Sequence, residues 1–387
     1  MSQAGLGAVD RWLLAIATWQ ESAEDLPLLS DEEWHELLRR AGDFGLAPML
    51  GRFIGALRGA VPALVTDQLA ALSRGHAVRW LSQQQELAAL ADRFEAEGLR
   101  FVALKGIALA LDLYPRPELR TMRDLDLLMT EGDAPQAYRL LVEDGYSVPD
   151  GIIAKPLEMS HQHPVLRSPE TGVLVELHKG LIASGWPEGE RLASAILADH
   201  RTITCLARTI GVPDKTHLFV HLLAHATRNR PFDTGPQFLA DYSLLRDAVD
   251  TDTELFAAYG VERARSLADA MLARHGDADL DRRADAALAL LLLDDADERE
   301  RKLLIRSGGA STDPRWALHK LVDPTPDALA QLSGRSVEDP LRWLAYPRWV
   351  VSRARHFFTA RRSGGLVGQV REAAALRDWL VADEPSG

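Results

Sequence analysis

The 387-residue sequence has a single cysteine, Cys205, so an intramolecular disulfide and any Cys-based metal site are excluded. A disulfide scaffold and a zinc ribbon go with them, and a reducing compartment is the expectation. Long apolar runs are also missing. The longest, Ala286–Leu293, falls far short of the ~20 residues a membrane-spanning helix needs. The start, MSQAGLGAVDRW, lacks the basic and apolar regions of a secretory signal, so a soluble cytoplasmic protein with no membrane partner is expected. Positive charge is in deficit: 44 basic residues face 56 acidic ones, for a net charge of −12. Overall attraction to nucleic acid is therefore not favoured, and a polyanion would need a local basic patch. What the chain does have is apolar sequence, 47% of its residues, enough for a real core. At roughly 150 residues per domain its length points to two or three structural units.

Apolar residues recur at helical spacing through the first part of the chain, as in Trp12, Leu13, Ile16 and Trp19, then Leu37, Leu38 and Phe44, and again from Trp80 to Phe94. Ser30-Asp31-Glu32-Glu33 has the form of a capping box, which predicts a helix start there. Gly98 fits the end of the last of these helices. Short β-prone runs then alternate with helical ones. The patterning predicts strands at Arg100–Leu104, Leu125–Met129, His163–Arg167 and Val173–His178, with Pro169–Gly172 as the turn between the last two. Helices are expected over Ile107–Leu113 and Ala134–Asp144. From about Gly189 the pattern returns to helices, interrupted by a strand near Thr202–Leu206 and by loops such as Ser307–Pro314. The fold expected is α+β: an N-terminal helical region over 1–98, a small mixed sheet over 99–186 and a C-terminal helical region over 187–387.

The most informative stretch is Arg120-Thr121-Met122-Arg123-Asp124-Leu125-Asp126-Leu127-Leu128-Met129. Two aspartates one residue apart on a strand project from one face, because strand side chains alternate with period 2. Holding both there among apolar neighbours is costly unless a proton, a base or a metal compensates. Glu176 and His178 share a face of a second apolar strand, Val173-Leu174-Val175-Glu176-Leu177-His178. Three acids on two strands offer oxygen ligands for Mg²⁺ or Mn²⁺. Such a site suits phosphoryl or nucleotidyl transfer, in which two divalent ions about 4 Å apart stabilise the attacking and leaving oxygens. The plain alternative for Asp124 and Asp126 is a solvated strand end paired with Arg120 or Arg123. Upstream, Lys105-Gly106 closes a strand and opens a helix, where an anion such as a triphosphate can rest.

The segment LKGIALALDLYPRPELRTMRDLDLLM, followed by VLVELHKG, resembles the nucleotidyltransferases of the DNA polymerase β superfamily. More narrowly it is similar to an uncharacterised bacterial nucleotidyltransferase family that reads L-K-G, then R-x-x-x-D-h-D-h-L with h apolar, then an acid-h-H strand. The resemblance implies metal binding and catalysis by Asp124, Asp126 and Glu176, and phosphate contact at Lys105 and Gly106. It implies a small mixed sheet carrying the acids, with flanking helices building the substrate pocket. Many superfamily members have Gly-Ser at the turn, whereas Ile107 follows Gly106 here.

The expected function is an Mg²⁺-dependent transfer of NMP from an NTP to a hydroxyl-bearing acceptor, a small molecule, peptide or protein. Arg120 would contact the phosphates or the aspartates. A non-catalytic binding module and a metal-dependent phosphoesterase are the other classes left open. His178, His225 and Asp241 are candidate substrate contacts, with Arg228 and Arg230 just beyond His225. His161-Gln162-His163 could present two imidazoles on one strand face. His217, His221 and His225 share a helix face, without the glutamate of a zinc-protease motif. Finally, Leu341–Arg362 carries six arginines, no acids and several aromatics, a pattern open to single-stranded nucleic acid and more often an amphipathic helix.

Overall fold

A computed structural model describes residues 6–55, 61–149, 160–182, 186–228, 232, 234–249, 253–273, 275–293, 329, 333, 339–351 and 364–382. The chain divides into two units, Met1–Leu288 and Ala289–Gly387. The expected loop at Ser307–Pro314, Arg230, and residues 352–362 of the basic segment lie outside the described residues.

The first unit opens with four helices: α1 (Ala8–Ala17), α2 (Asp31–Asp43), α3 (Ala47–Gly55) and α4 (Ala63–Ala96). The capping box at the start of α2 is formed, with Ser30 N–H donating to Glu33 Oε2 at 2.8 Å and Glu33 N–H donating to Ser30 Oγ. The apolar spacing then turns Trp34, Leu37, Leu38 and Ala41 inward. Trp12 of α1 meets Trp34 and Phe53 edge to face, with ring centroids 5.0 and 5.8 Å away. Such pairs add about 0.5–1.5 kcal/mol beyond the area they bury. Helix α4 runs for 34 residues, and Gly98, at φ +70°, turns the chain out of it.

The sheet that follows has strand order β1-β2-β4-β3: β1 (Val102–Ala103), β2 (Asp124–Leu128), β3 (Leu166–Arg167) and β4 (Leu174–His178). Strands β1/β2 and β3/β4 pair antiparallel, whereas β2 and β4 run parallel in the register Asp124↔Leu174, Asp126↔Glu176 and Leu128↔His178. A parallel pair needs a crossover, and α6 (Asp133–Glu143) lies within it, following α5 (Lys105–Asp112). Two strands are shorter than the patterning predicts. Strand β1 stops because Lys105 takes φ +40° and opens α5, although Leu104 N–H still reaches Asp126 O at 2.9 Å. The expected strand at His163–Arg167 is interrupted: His163 N–H bonds Leu177 O and Gln162 bridges His178, but the regular ladder covers only Leu166 and Arg167.

Helix α7 (Pro187–Ala198) leads to an antiparallel ribbon of β5 (Arg201–Cys205) and β6 (Arg208–Val212). Strand β6 has no counterpart in the sequence reading. The turn residues Leu206 and Ala207 take φ +44° and +62° without glycine or asparagine, so the usual signal of a two-residue hairpin is missing. Helices α8 (Lys215–Arg228), α9 (Gln237–Ala248), α10 (Thr253–Ala258), α11 (Glu262–Leu272) and α12 (Ala278–Leu291) follow. Phe219 of α8 packs against Tyr242 of α9 and Phe256 of α10, with ring centroids 5.1 and 5.3 Å away. Helix α8 packs on α5 as well as on α9 and α11.

The second unit contains a 3-10 turn at Pro340–Ala345, entered through Asp339, whose carboxylate accepts from Leu341 N–H at 2.8 Å. A small apolar cluster joins Leu329, Ala345 and Trp349, and Tyr346 stacks on Trp349 at 6.3 Å. Among the described residues no helix is long and apolar enough to cross a membrane.

Candidate active site

Parallel pairing of β2 with β4 sets Asp126 beside Glu176, with His178 one side-chain repeat further along β4. One ligand atom from each of Asp126, Glu176 and His178 lies within 4.8 Å of the others. His178 Nε2 stands 2.7 Å from Asp126 Oδ1 and 3.5 Å from Glu176 Oε2. Lys105 brings its ammonium to 3.5 Å from the same Asp126 oxygen, and Gln162 donates to Glu176 Oε2 at 2.7 Å. His178 is fully buried and Asp126 nearly so, while the Glu176 side chain is 20% exposed and marks the open side. Asp124 shares the strand face of Asp126 but is not in the 4.8 Å group.

The electrostatics follow from this crowding. Burial, then the charges of Asp126 and Glu176, push the Asp124 carboxyl up to about 7. Burial also acts against ionised Asp126, but the Lys105 charge and the His178 hydrogen bond outweigh it and hold this carboxyl well below the usual range. His178 shows the reciprocal effect: burial disfavours its charged form, yet hydrogen bonds to Asp126 and Glu176 raise its pKa above the ordinary value. Three acids against one lysine and one imidazole leave negative charge in excess. That excess, with two carboxylates and an imidazole in one group, fits a divalent cation.

The turn beside the acids is built for close approach. Lys105 occupies the left-handed region, which costs a non-glycine residue roughly 1–2 kcal/mol. Strain of this kind persists where the surroundings over-determine it. No side chain caps the first turn of α5, whose helix dipole favours an anion. A Cβ on Gly106 would meet Arg120 Nη1 at 2.9 Å and Met122 Cβ at 3.1 Å, so the glycine is demanded by packing.

Arg120 and Asp241 form a site of their own. Arg120 donates through Nε and Nη2 to the two Asp241 oxygens at 3.0 and 2.7 Å, and Tyr114 Oη donates to Asp241 at 2.7 Å. Both partners are largely buried, and Arg120 also lies within electrostatic reach of Asp126. The histidines also separate. His163 stacks on Tyr138 at 5.1 Å, whereas the His161 ring lies 5.5 Å from His178, so the two do not form one face. On α8, His217 contacts Asp214, whose carboxylate also accepts from Thr216 N–H at 2.8 Å and so caps the helix. His221 and His225 lie one and two turns further on, within electrostatic reach of Lys105 and Asp126. The Lys105 charge and then burial lower the His225 pKa to about 3, and burial first, then Lys105, lowers that of His221.

Two supporting residues escape sequence reasoning. Gln162 fixes Glu176, and buried Gln83 of α4 donates to Met122 O at 3.0 Å, bracing the approach to β2. The signal for Gln83 was a polar residue on the buried face that holds Trp80, Leu87 and Leu90.

Comparison with known proteins adds the remaining link. No curated protein matches the chain. A family profile described as uncharacterised nucleotidyltransferase matches residues 30–270, from the N-cap of α2 into α11 and across all the residues of the acid cluster. With more than half its length inside that match, the chain belongs to this uncharacterised nucleotidyltransferase family.

Proposed function

We propose that the protein is an Mg²⁺- or Mn²⁺-dependent nucleotidyltransferase that moves NMP from an NTP to a hydroxyl-bearing acceptor and releases pyrophosphate. The observation that carries this reading is the convergence of Asp126, Glu176 and His178 beside Lys105 and the uncapped start of α5, within a nucleotidyltransferase family. Asp126 and Glu176 would hold the cation, with Asp124 adding charge from the same face. When bound, the cation supplies charge neutralisation for the transferring phosphoryl group. His178 orients Asp126 and Gln162 orients Glu176, which fixes both carboxylates against their mutual repulsion. Lys105 and the first N–H groups of α5 bind the triphosphate. The acceptor enters on the open side, where Glu176 is exposed. Its oxygen bonds to the α-phosphorus as the bond to pyrophosphate breaks, and the hydroxyl proton leaves to solvent. Arg120 and Asp241 serve by holding the Gly106 turn, and not by touching substrate.

The test is incubation of the full chain with each α-labelled NTP, Mg²⁺ and a cell extract, followed by a search for label on small molecules, peptides, proteins and RNA. Labelled adduct that disappears with Asp126→Asn supports the reading. Absence of adduct together with absence of Mg²⁺-dependent nucleotide binding would make the protein a binding module. Release of inorganic phosphate without an adduct would make it a phosphoesterase.

A further inference from the structure

Among the described residues, helix α8 carries a buried imidazole with nothing to bond. His221 is fully buried, and among the described residues neither of its ring nitrogens has a hydrogen-bond partner. A buried imidazole retains one N–H donor and one bare nitrogen, and leaving both unmade is costly. His225, one turn later, is half-buried, and its ring meets that of His221 edge to face at 6.3 Å. Helix α8 packs on α5, and Lys105 is the leading charge felt by both histidines, ahead of Asp126 and His178. The helix that carries the two rings thus packs on the element that Lys105 opens. The ring N–H groups, the Lys105 ammonium and the first N–H groups of α5 are all hydrogen-bond donors. The partner of matching chemistry is a chain of anionic oxygens.

We propose that His221 and His225 are the α8 half of a polyphosphate subsite, donating ring N–H groups to phosphate oxygens opposite Lys105 and the first turn of α5. This rests on the nucleotidyl-transfer reading and adds to it two binding residues from a helix outside the sheet. It also accounts for a buried imidazole with no hydrogen-bond partner among the described residues.

The experiment is isothermal titration calorimetry of the full chain with inorganic tripolyphosphate and Mg²⁺, alongside thermal unfolding of each variant. His221→Leu and His225→Leu should each weaken binding roughly ten-fold. His225→Gln, which keeps an N–H, should recover part of that loss. His221→Leu should leave the melting temperature unchanged or raised, because it replaces an unsatisfied polar ring by an apolar side chain, a combination a purely structural histidine would not give. If both leucine variants bind within about two-fold of wild type while Lys105→Met loses binding, this assignment is overturned and the nucleotidyl-transfer reading stands. If the wild-type chain does not bind tripolyphosphate, the subsite assignment is overturned, and the labelled-NTP assay decides the nucleotidyl-transfer reading separately. Should His221→Leu not fold, His225→Leu decides alone.

Discussion

Two buried acid sites lie in the same unit and are balanced in opposite ways. At Asp241 the account is closed: Arg120 supplies two hydrogen bonds, Tyr114 a third, and the carboxylate is 3% exposed. Between β2 and β4 it stays open, with Asp124, Asp126 and Glu176 set against Lys105 and His178. The closed site ties α9 to the approach of β2 and asks nothing more of its surroundings. The open one leaves acids that a proton on Asp124 or a bound cation must offset. A buried acid is informative about function when its partners are too few, and uninformative when they suffice.

The contrast can be broken most sharply at the open site. Asp126→Asn or Glu176→Gln should lower nucleotidyl transfer on the order of 10⁴-fold, about 5.5 kcal/mol of transition-state stabilisation. The melting temperature should move only slightly, because His178 can shed its proton and Lys105 is partly exposed. Transfer assays and thermal unfolding check this, and near-normal turnover in either variant would remove the role given to these acids. At the closed site the effect should fall on the fold. Asp241→Ala strands Arg120, which cannot deprotonate, so about 3–5 kcal/mol of stability should be lost in urea unfolding. A loss below about 1 kcal/mol would mean that the pair is not the tie described.

A smaller effect lies where the two sites meet. Gly106→Ala places a methyl group against Arg120 and Met122, and overpacking of this kind costs roughly 1–3 kcal/mol. Unfolding and tripolyphosphate affinity should fall together. Retained stability with lost affinity would instead place the glycine at the phosphates. The smallest effect concerns Asp214, another satisfied acid. Burial raises its pKa, but bonds from the His217 side chain and from backbone N–H groups outweigh this and leave it lowered. A depressed carboxylate pKa contributes stability that is present above the unfolded value, about 4, and is lost as pH falls through the lower folded value. Asp214→Ala should therefore cost roughly 1 kcal/mol near neutrality and progressively less at acid pH, as urea unfolding across that range would reveal.

The sheet was legible in the sequence because alternation with period 2 is a local property. Asp124, Asp126, Glu176 and His178 announced themselves as polar side chains in apolar runs. Partnerships between distant segments were not legible. Nothing near Arg120 points to Asp241, since the pair spans 121 positions and depends on the tertiary placement of α9. Strand β6 escaped because Leu206 and Ala207 make its turn with side chains that disfavour it. His221 reads from periodicity as one more residue on a helical face, and only its burial without a partner sets it apart.

The parallel junction between β2 and β4 also bears on how the protein comes into being. Asp126 and His178 are 52 positions apart and become neighbours only after a full crossover has wrapped across the sheet. A chain still emerging from the ribosome thus has no cage for a cation, and its scattered acids and lysine remain ordinary solvated charges. Whatever chemistry the protein performs is withheld until synthesis has passed the second strand and long-range pairing is complete.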